Sequence, residues 1–587
     1  MKYFELANIY ESIQNTSKRL EKTLLISSLI KKTPDKELNT IFLLLNGKIF
    51  HYWQKSKLGV ASKTVVKAIN VATGIGSEEV EREWKNLGDL GLVAEKFISR
   101  KIQTTLFSNE LTIEKVYDNL SKLGSLEGIG TVDRKVKLLA ELLTSAKPIE
   151  ARYITRTALE DLRVGVGEGL LRDSIVWAFF KESLGLEYDR ENNKLLLPDS
   201  NREKYDECVN AVQYAYNIKN DFAEVAKIAK FNGLDGLLNV KVTVGKPMKA
   251  MLFQKVKNIE EAFEIVGSPA AFEYKYDGFR VQAHFDKGRV LLFTRRQEDV
   301  TEQFPDVVKS IKENINAETA ILDTEIVGFN PKTNQYIPFQ EISQRIKRKY
   351  EIEKLKKQFP VEVNVFDIMF LDGKNKLELP FQKRRRLISE IIEPKERKIV
   401  LSRIIVTNNR EDATRFYNEA LDRGEEGVMA KNLQATYKPG SRVGYGVKIK
   451  PVMDSLDLVI VKAEWGEGKR ANWLTSFTLA TKSEEGFLEV GKVSTGFKEL
   501  AGEGLTYNSV TEILKPLIVA ENGKEVRLKP EVVIEVSYEE IQKSPTYSSG
   551  YALRFPRFLK IRDERAVDDV DDIETIGKLY KRQRNRG

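Results

Sequence analysis

The spacing of apolar residues changes twice along this chain, near residues 240 and 452, and no single fold class accommodates all three patterns. Residues 1–238 read as helix after helix. Thr33-Pro34-Asp35 predicts a helix start with Pro at the first helical position, and Asn46-Gly47 predicts its stop. Ser77 followed by Glu78 and Glu79 predicts another start, with both acids in the first turn where the helix dipole favours them. No repeat of fixed 20- to 50-residue period emerges, so a helical solenoid is not supported. From 239 to 451 strands alternate with helices. FRVQAHF places Val281, Ala283 and Phe285 on one face and Arg280, Gln282 and His284 on the other, and Asp286-Lys287-Gly288 turns the chain into RVLLFTR to close a hairpin. Beyond 452 the short strands LDLVIVKAEW, SFTLATK, FLEVGKV and VVIEVSY, with Gly-rich turns, predict a small barrel. IETIGKLYKRQRNRG predicts a final helix running into a basic tail. The expectation is a multidomain α+β chain with domains at 1–238, 239–451 and 452–587.

Composition narrows the chemistry. A chain of 587 residues exceeds what one hydrophobic core serves. No apolar run approaches bilayer length, and MKYFELANIYESIQ lacks the basic and apolar regions of a secretory signal, so a cytoplasmic protein without membrane contact is expected. One cysteine, Cys208, excludes an internal disulfide and cysteine-cluster zinc sites. Two distant histidines, His51 and His284, argue against zinc or iron centres and a Ser-His-Asp triad. Lys plus Arg number 95 against 86 acids, a net +9 that suits a polyanionic partner. Abundant Lys, Glu and Ile with little Cys or His suits a thermophile.

The common phosphate cradles are absent. No Gly-Lys pair is followed by Ser or Thr as a P-loop requires. GVGEGLL, residues 165–171, has the look of a dinucleotide loop, but the EARYITRTALEDLR before it reads as helix where that fingerprint needs a strand. It reads instead as a helix connection or as a backbone turn near DNA phosphates.

Other segments carry more. FEYKYDGFRVQ sets Lys275 between two tyrosines at the end of a strand, ahead of Asp277-Gly278, which is expected to turn the chain and bring Arg280 back beside it. Taken alone this is an ordinary hairpin lysine. In ILDTEIVGF, Asp323 and Glu325 leave the same strand face, an arrangement that a hard cation, a ribose hydroxyl or a lysine would relieve. EEGVMAK, residues 425–431, offers further acids and a lysine, and GVKIK places Lys448 and Lys450 on one face.

In that order, KYDG with Arg280, the Asp-x-Glu strand, VNVFDIMFLDG, EEGVMAK and VKIK resemble the successive motifs of nucleotidyltransferases that form a covalent lysyl-nucleotide. ALRFPRF followed by IRDER resembles the last motif of the DNA ligases, and the region around LRVGVGEGLLRD resembles the DNA-binding domain of replicative ligases. The whole is similar to the archaeal and eukaryotic ATP-dependent DNA ligases. That resemblance implies an all-α DNA-binding domain over 1–238, a mixed α/β, antiparallel-sheet nucleotidyltransferase (ATP-grasp-like) domain over 239–451, and an OB-fold barrel with a C-terminal helix and basic tail over 452–587.

The resemblance also implies roles. Lys275 becomes the nucleophile on the α-phosphate of ATP. A free lysine, with pKa near 10.4, is only about one part in a few thousand neutral at pH 7, so neighbouring cations and partial burial must activate it. Lys448 and Lys450 supply positive charge at the α-phosphate. Arg280 serves the ribose or the nick phosphate, Arg295 and Arg442 the nucleotide or phosphate, Glu325 the ribose or a metal, and Glu426 a divalent ion. Phe366 stacks on adenine and Glu273 reads the base edge near its amino group. Arg554 and Arg557 orient the leaving pyrophosphate. Mg2+ or Mn2+ is the expected cofactor. The expected partners are nicked double-stranded DNA and a PCNA-type sliding clamp, engaged through Gln103, Leu106 and Phe107 of SRKIQTTLFSN, by a chain acting as a monomer. The chain departs from the family at Gly446, where a Trp or similar bulky residue is common, and at Arg565, where lysine is usual. A capping guanylyltransferase shares the KxDG core but needs neither the long helical region nor ALRFPRF. A non-catalytic DNA-binding protein would leave the motif lysines unexplained.

Overall fold

The structure is a computed structural model, and it describes the chain except residues 101–109, 129, 349, 452, 454, 467–469, 471, 500–504 and 584–587. The chain divides into two compact units. One comprises Met1–Phe253, Gly278–Ser402 and Leu433–Val443; the other comprises Gln254–Asp277, Arg403–Asn432 and Gly444–Gly587.

In the first unit the helical N-terminal region follows its capping signals closely. The helix Leu90–Ser99 is capped by Asp89, whose carboxylate accepts from Gly91 N–H at 2.7 Å, a cap worth about 1 kcal/mol. The same carboxylate receives the guanidinium of buried Arg156 at 2.7 Å, which ties that cap to the helix Pro148–Ala158. The helix expected at Pro34 begins later, at Leu38, because Thr33 ends the preceding helix by donating its N–H to Leu29 and Ile30, and Pro34–Glu37 forms a turn. The stop at Asn46-Gly47 and the start at Ser77 stand where expected. Gly165–Gly167 joins two helices, Pro148–Ala158 and Glu168–Phe180, so the glycine-rich loop is a helix connection.

The same unit holds a seven-stranded sheet. Number the strands that position the site β1 (Gln254–Val256), β2 (Ala270–Tyr274), β3 (Phe279–Asp286), β4 (Arg289–Thr294), β5 (Thr319–Phe329), β6 (Val361–Leu371), β7 (Ile404–Thr407), β8 (Val428–Asn432) and β9 (Gly446–Ile449). The sheet runs β6-β5-β3-β4, with short strands at 336–337, 374–375 and 399–401 added. β3 and β4 form the expected hairpin, Lys287 and Gly288 both taking positive φ. Val281, Ala283 and Phe285 face a core shared with Val307, Ile311 and Ile388 from two covering helices. The opposite face, which carries Gln282 and His284, is also buried: Gly245 N–H donates to His284 Nδ1 at 3.0 Å and Met248 N–H donates to Gln282 Oε1 at 3.1 Å. Ile321 and Met369 of this sheet belong to the same core as the N-terminal helices.

The second unit holds a five-stranded sheet ordered β7-β2-β8-β9-β1 and a C-terminal strand-rich domain. In that domain the strand Leu456–Trp465 pairs with Val533–Ser537 along one half and Glu525–Leu528 along the other, folding the sheet around one apolar core. The helices Tyr507–Leu514 and Ile573–Arg582 contribute Val510, Leu514 and Ile576 to it.

The expected hairpin at Asp277-Gly278 does not form. β2 pairs with β7 and β8, whereas β3 pairs with β4 and β5, so Lys275 and Arg280 belong to different sheets. Gly278 is there for close approach: a Cβ on it would lie 2.4 Å from the carbonyl oxygen of Ile326 on β5.

Candidate active site

Three adjacent strands of the second unit concentrate the charged residues. In register, Glu273 of β2 stands opposite Met429 of β8, which stands opposite Lys448 of β9; one step along, Ala271, Lys431 and Gly446 align. Because side chains alternate, Glu273, Lys275, Lys431, Lys448 and Lys450 all leave one face of the sheet.

Lys275 continues the ladder one residue past β2, its N–H donating to Gly427 O and its carbonyl accepting from Glu426 N–H, each at 2.9 Å. Gly427 sits at φ +134°, and a Cβ there would lie 2.1 Å from the carbonyl oxygen of Ile449, so no other residue fits between β2 and β9. This crossing delivers the Glu426 carboxylate to both lysines: Oε2 lies 2.6 Å from Lys275 Nζ and 2.6 Å from Lys450 Nζ. Burial works to raise the pKa of Glu426, but the attraction of Lys275 and Lys450 prevails and holds the carboxyl well below the usual carboxylate range. A carboxylate kept ionised in this way orients Lys275 and is a poor base for it. Lys450 also reaches Glu539 at 3.4 Å. Farther along the same face, Glu273 and Lys431 form an ion pair in which both side chains are buried.

The first unit carries a separate constellation. Arg280 grips Asp323 with two hydrogen bonds, Nε at 2.8 Å and Nη2 at 2.5 Å, donates Nη1 to the carbonyl of Met251 at 2.8 Å and Nη2 to Tyr437 Oη at 3.2 Å. Tyr437 Oη in turn donates to Asp323 at 2.8 Å and accepts from Met251 N–H at 3.1 Å. Burial disfavours the charge on Arg280, but Asp323 beside it keeps its pKa above the ordinary arginine value. Burial, with Asp323 adjacent, pushes the Tyr437 phenol well up. Glu325 stands opposite Arg280 on β5, and the Arg280 guanidinium lies 5.4 Å from the ring centroid of Phe366 on β6.

Arg295 and Arg442 are exposed in the first unit. Arg554 ends the strand Tyr551–Arg554 and pairs with buried Glu540 at 3.0 Å; Phe555 follows at φ +52°, and Arg557 is exposed. Among the described residues no group of three or more His, Cys, Asp or Glu stands close enough to hold a metal. Glu325 and Glu426 are in different units, and Glu426 already faces two ammonium groups. Each carboxylate oxygen is of the type that suits a hard cation, but neither residue alone makes up a full set of ligands. Gln103, Leu106 and Phe107 lie outside the described residues.

Sequence reasoning passed over three residues. Asp323 was legible as half of a carboxylate pair, and its partner Arg280 lies on the same face of the neighbouring strand. Tyr437 carried no signal, since ATYKPGSR reads as a loop. Lys431 closes EEGVMAK and was visible, but its partner Glu273 appears only when β2 and β8 are placed side by side.

Known proteins match this chain along its length. The family described as ATP dependent DNA ligase domain matches residues 250–450, DNA ligase N terminus matches 2–176, and ATP dependent DNA ligase C terminal region matches 470–565. A DNA ligase of Nanoarchaeum equitans is 46% identical over all of this chain and 99% of its own length. One of Thermococcus fumicolans is 41% identical over 99% of this chain and 98% of its own. The solved structure Pmar-Lig_PreS3 shares the fold, with TM-score 0.56 at 15% identity, covering 95% of this chain and 99% of that one. No described helix is long and apolar enough to cross a membrane. With all three regions matched in order and full-length relatives at this identity, the chain belongs to the ATP-dependent DNA ligase family.

Proposed function

We propose that this ligase seals single-strand nicks in duplex DNA by way of a Lys275–AMP intermediate. The observation that carries the reading is the Lys275–Glu426–Lys450 cluster: a lysine fixed at a strand end, held by an ionised carboxylate, with a second cation 2.6 Å from that carboxylate. In the first step the neutral amine of Lys275 attacks the α-phosphorus of ATP, a P–N bond forms, and the P–O bond to pyrophosphate breaks. Lys448 and Lys450 offset the charge that builds on the phosphoryl oxygens. AMP then passes to the 5′-phosphate at the nick, and the 3′-hydroxyl displaces it to close the strand. Arg280 serves the ribose or the nick phosphate, Glu273 and Phe366 the base, Glu325 the ribose or the metal, and Arg295 and Arg442 the phosphates. Arg554 and Arg557 align the departing pyrophosphate. Glu325 and Glu426 would each offer a carboxylate oxygen to Mg2+ or Mn2+, which would neutralise triphosphate charge when bound.

The domain scheme 1–238, 239–451 and 452–587, monomeric action in the cytoplasm at the nucleoid, service in replication, repair and recombination, and clamp binding through residues 103–107 complete the proposal. Covalent labelling with α-labelled ATP tests its core: wild type becomes labelled and seals a nicked duplex, and Lys275→Ala does neither. Labelling of Lys275→Ala at the wild-type level refutes the assignment.

A further inference from the structure

The lysine face of the five-stranded sheet continues past the residues that the phosphoryl chemistry uses. β9 pairs in parallel with β1, the last strand of that sheet, and Lys448 stands directly across from Lys255. Paired positions send their side chains to the same face, so Lys255 joins Lys448 and Lys450 there. Lys257, two residues on, continues the row just beyond the end of β1. Like charges set opposite each other on neighbouring strands repel unless an anion offsets them. The acids of this face are engaged elsewhere: Glu273 pairs with Lys431, and Glu426 is shared by Lys275 and Lys450. Glu261 accepts at 2.7 Å from the backbone N–H of Lys257, not from its ammonium. Lys255 and Lys257 are both exposed, and among the described residues neither ammonium has a hydrogen bond or an ion pair. The protein offsets the charge of Lys450 and leaves that of Lys255 and Lys257 to an anion from outside.

We propose that Lys255 and Lys257 are positioning residues that hold successive backbone phosphates of the DNA strand beside the nick, and so present its end to Lys448 and Lys450. This rests on the reading of the protein as a nick-sealing ligase and adds to it where the strand runs. Alternate side chains of an extended strand stand about 6.6 Å apart, close to the spacing of neighbouring phosphates along a DNA strand. Exposed, unpaired lysines at the end of a sheet suit an anion that runs on past the reacting centre, as a polynucleotide does and a mononucleotide does not. Contacts of this kind fix the register of the strand and touch no reacting atom.

The test measures binding of the full-length protein to a fluorescent nicked duplex, without ATP, between about 50 and 200 mM salt. The double variant Lys255→Gln/Lys257→Gln is expected to bind at least about 10-fold more weakly at the upper end of that range. Its plot of log Kd against log salt should flatten by about 2, since each phosphate contact contributes about 0.9 to the slope. Single-turnover labelling by α-labelled ATP should proceed at the wild-type rate, and circular dichroism checks the fold. Lys255→Arg/Lys257→Arg, which keeps both charges, should retain affinity and slope. If the double Gln variant aggregates, Lys255→Gln alone carries the comparison, with a slope change of about 1. Unchanged affinity and slope in the Gln variant would leave the lysines as guards of a sheet edge and overturn the inference. Slower labelling by a folded Gln variant would overturn it too, by assigning the lysines to the phosphates of ATP. Failure of wild type to label with ATP or to bind the nicked duplex would instead sink the functional reading beneath it.

Discussion

Replacing His284 with Asn should abolish a specific pH dependence of the central sheet. His284 lies on β3 at 1% exposure, its Nδ1 accepting from Gly245 N–H at 3.0 Å and its ring edge-on to Phe293 at 5.0 Å. Burial pushes its pKa from 6.5 down to about 3. The unfolded or opened chain therefore binds a proton below pH 6.5 that the native sheet refuses until about pH 3. The contribution to stability is fully present above pH 6.5 and falls by about 1.4 kcal/mol per unit as the pH drops through that window. At pH 5 the loss reaches about 2 kcal/mol, roughly 30-fold in the opening equilibrium, and its ceiling near pH 3 is about 5 kcal/mol. Asn keeps an acceptor for the Gly245 N–H and does not titrate. Hydrogen exchange of peptides covering β3 and β4, corrected for intrinsic rates, measures opening in wild type and His284→Asn at pH 7.5 and pH 5. Wild type should lose about 30-fold more protection than the variant over that interval. Parallel losses would show that the ring is already charged in the native sheet, or reachable by water, and would refute the reasoning.

Tyr437→Phe removes the hydroxyl that joins Asp323, Arg280 and Met251, leaving buried donors short of an acceptor. Denaturation should show a loss of about 1–3 kcal/mol. Its kinetics should assign Arg280: slower sealing with unchanged labelling places the arginine at the nick phosphate, slower labelling places it at the ribose. Gly427→Ala puts a methyl 2.1 Å from the Ile449 carbonyl at a φ that only glycine tolerates. The clash must part β2 from β9 or shift Glu426, and covalent labelling should fall by at least about 100-fold; a near-normal rate would show that the crossing does not set the position of Lys275.

Much of this was legible in the residues. The order of the motifs singles out Lys275 as the candidate nucleophile, and the β3–β4 hairpin follows from Asp286-Lys287-Gly288 and the alternation around it. What escaped shares a cause: strand alternation says which residues share a face, but not what covers that face. Alternation puts Arg280, Gln282 and His284 on one face of their strand and says nothing of Gly245, Met248 and Met251, which cover that face and supply hydrogen-bond partners. Asp277-Gly278 read as a hairpin turn because its dipeptide favours one, whereas the glycine answers to the backbone of β5. Thr33-Pro34 read as a helix start, but the threonine was already committed to ending the helix before it.

The register of β2, β8 and β9 bears on how the enzyme comes into being on the ribosome. Glu273 and Lys275 are made early, Glu426 and Lys431 much later, and Lys448 and Lys450 last, so the ion pairs of Lys275 with Glu426 and of Glu273 with Lys431 each close a long loop. Such long-range pairings are slow to form. A nascent chain halted before residue 450 has emerged holds Lys275 without its second lysine, and on the proposed role of Lys275 it should acquire no nucleotide however much ATP surrounds it.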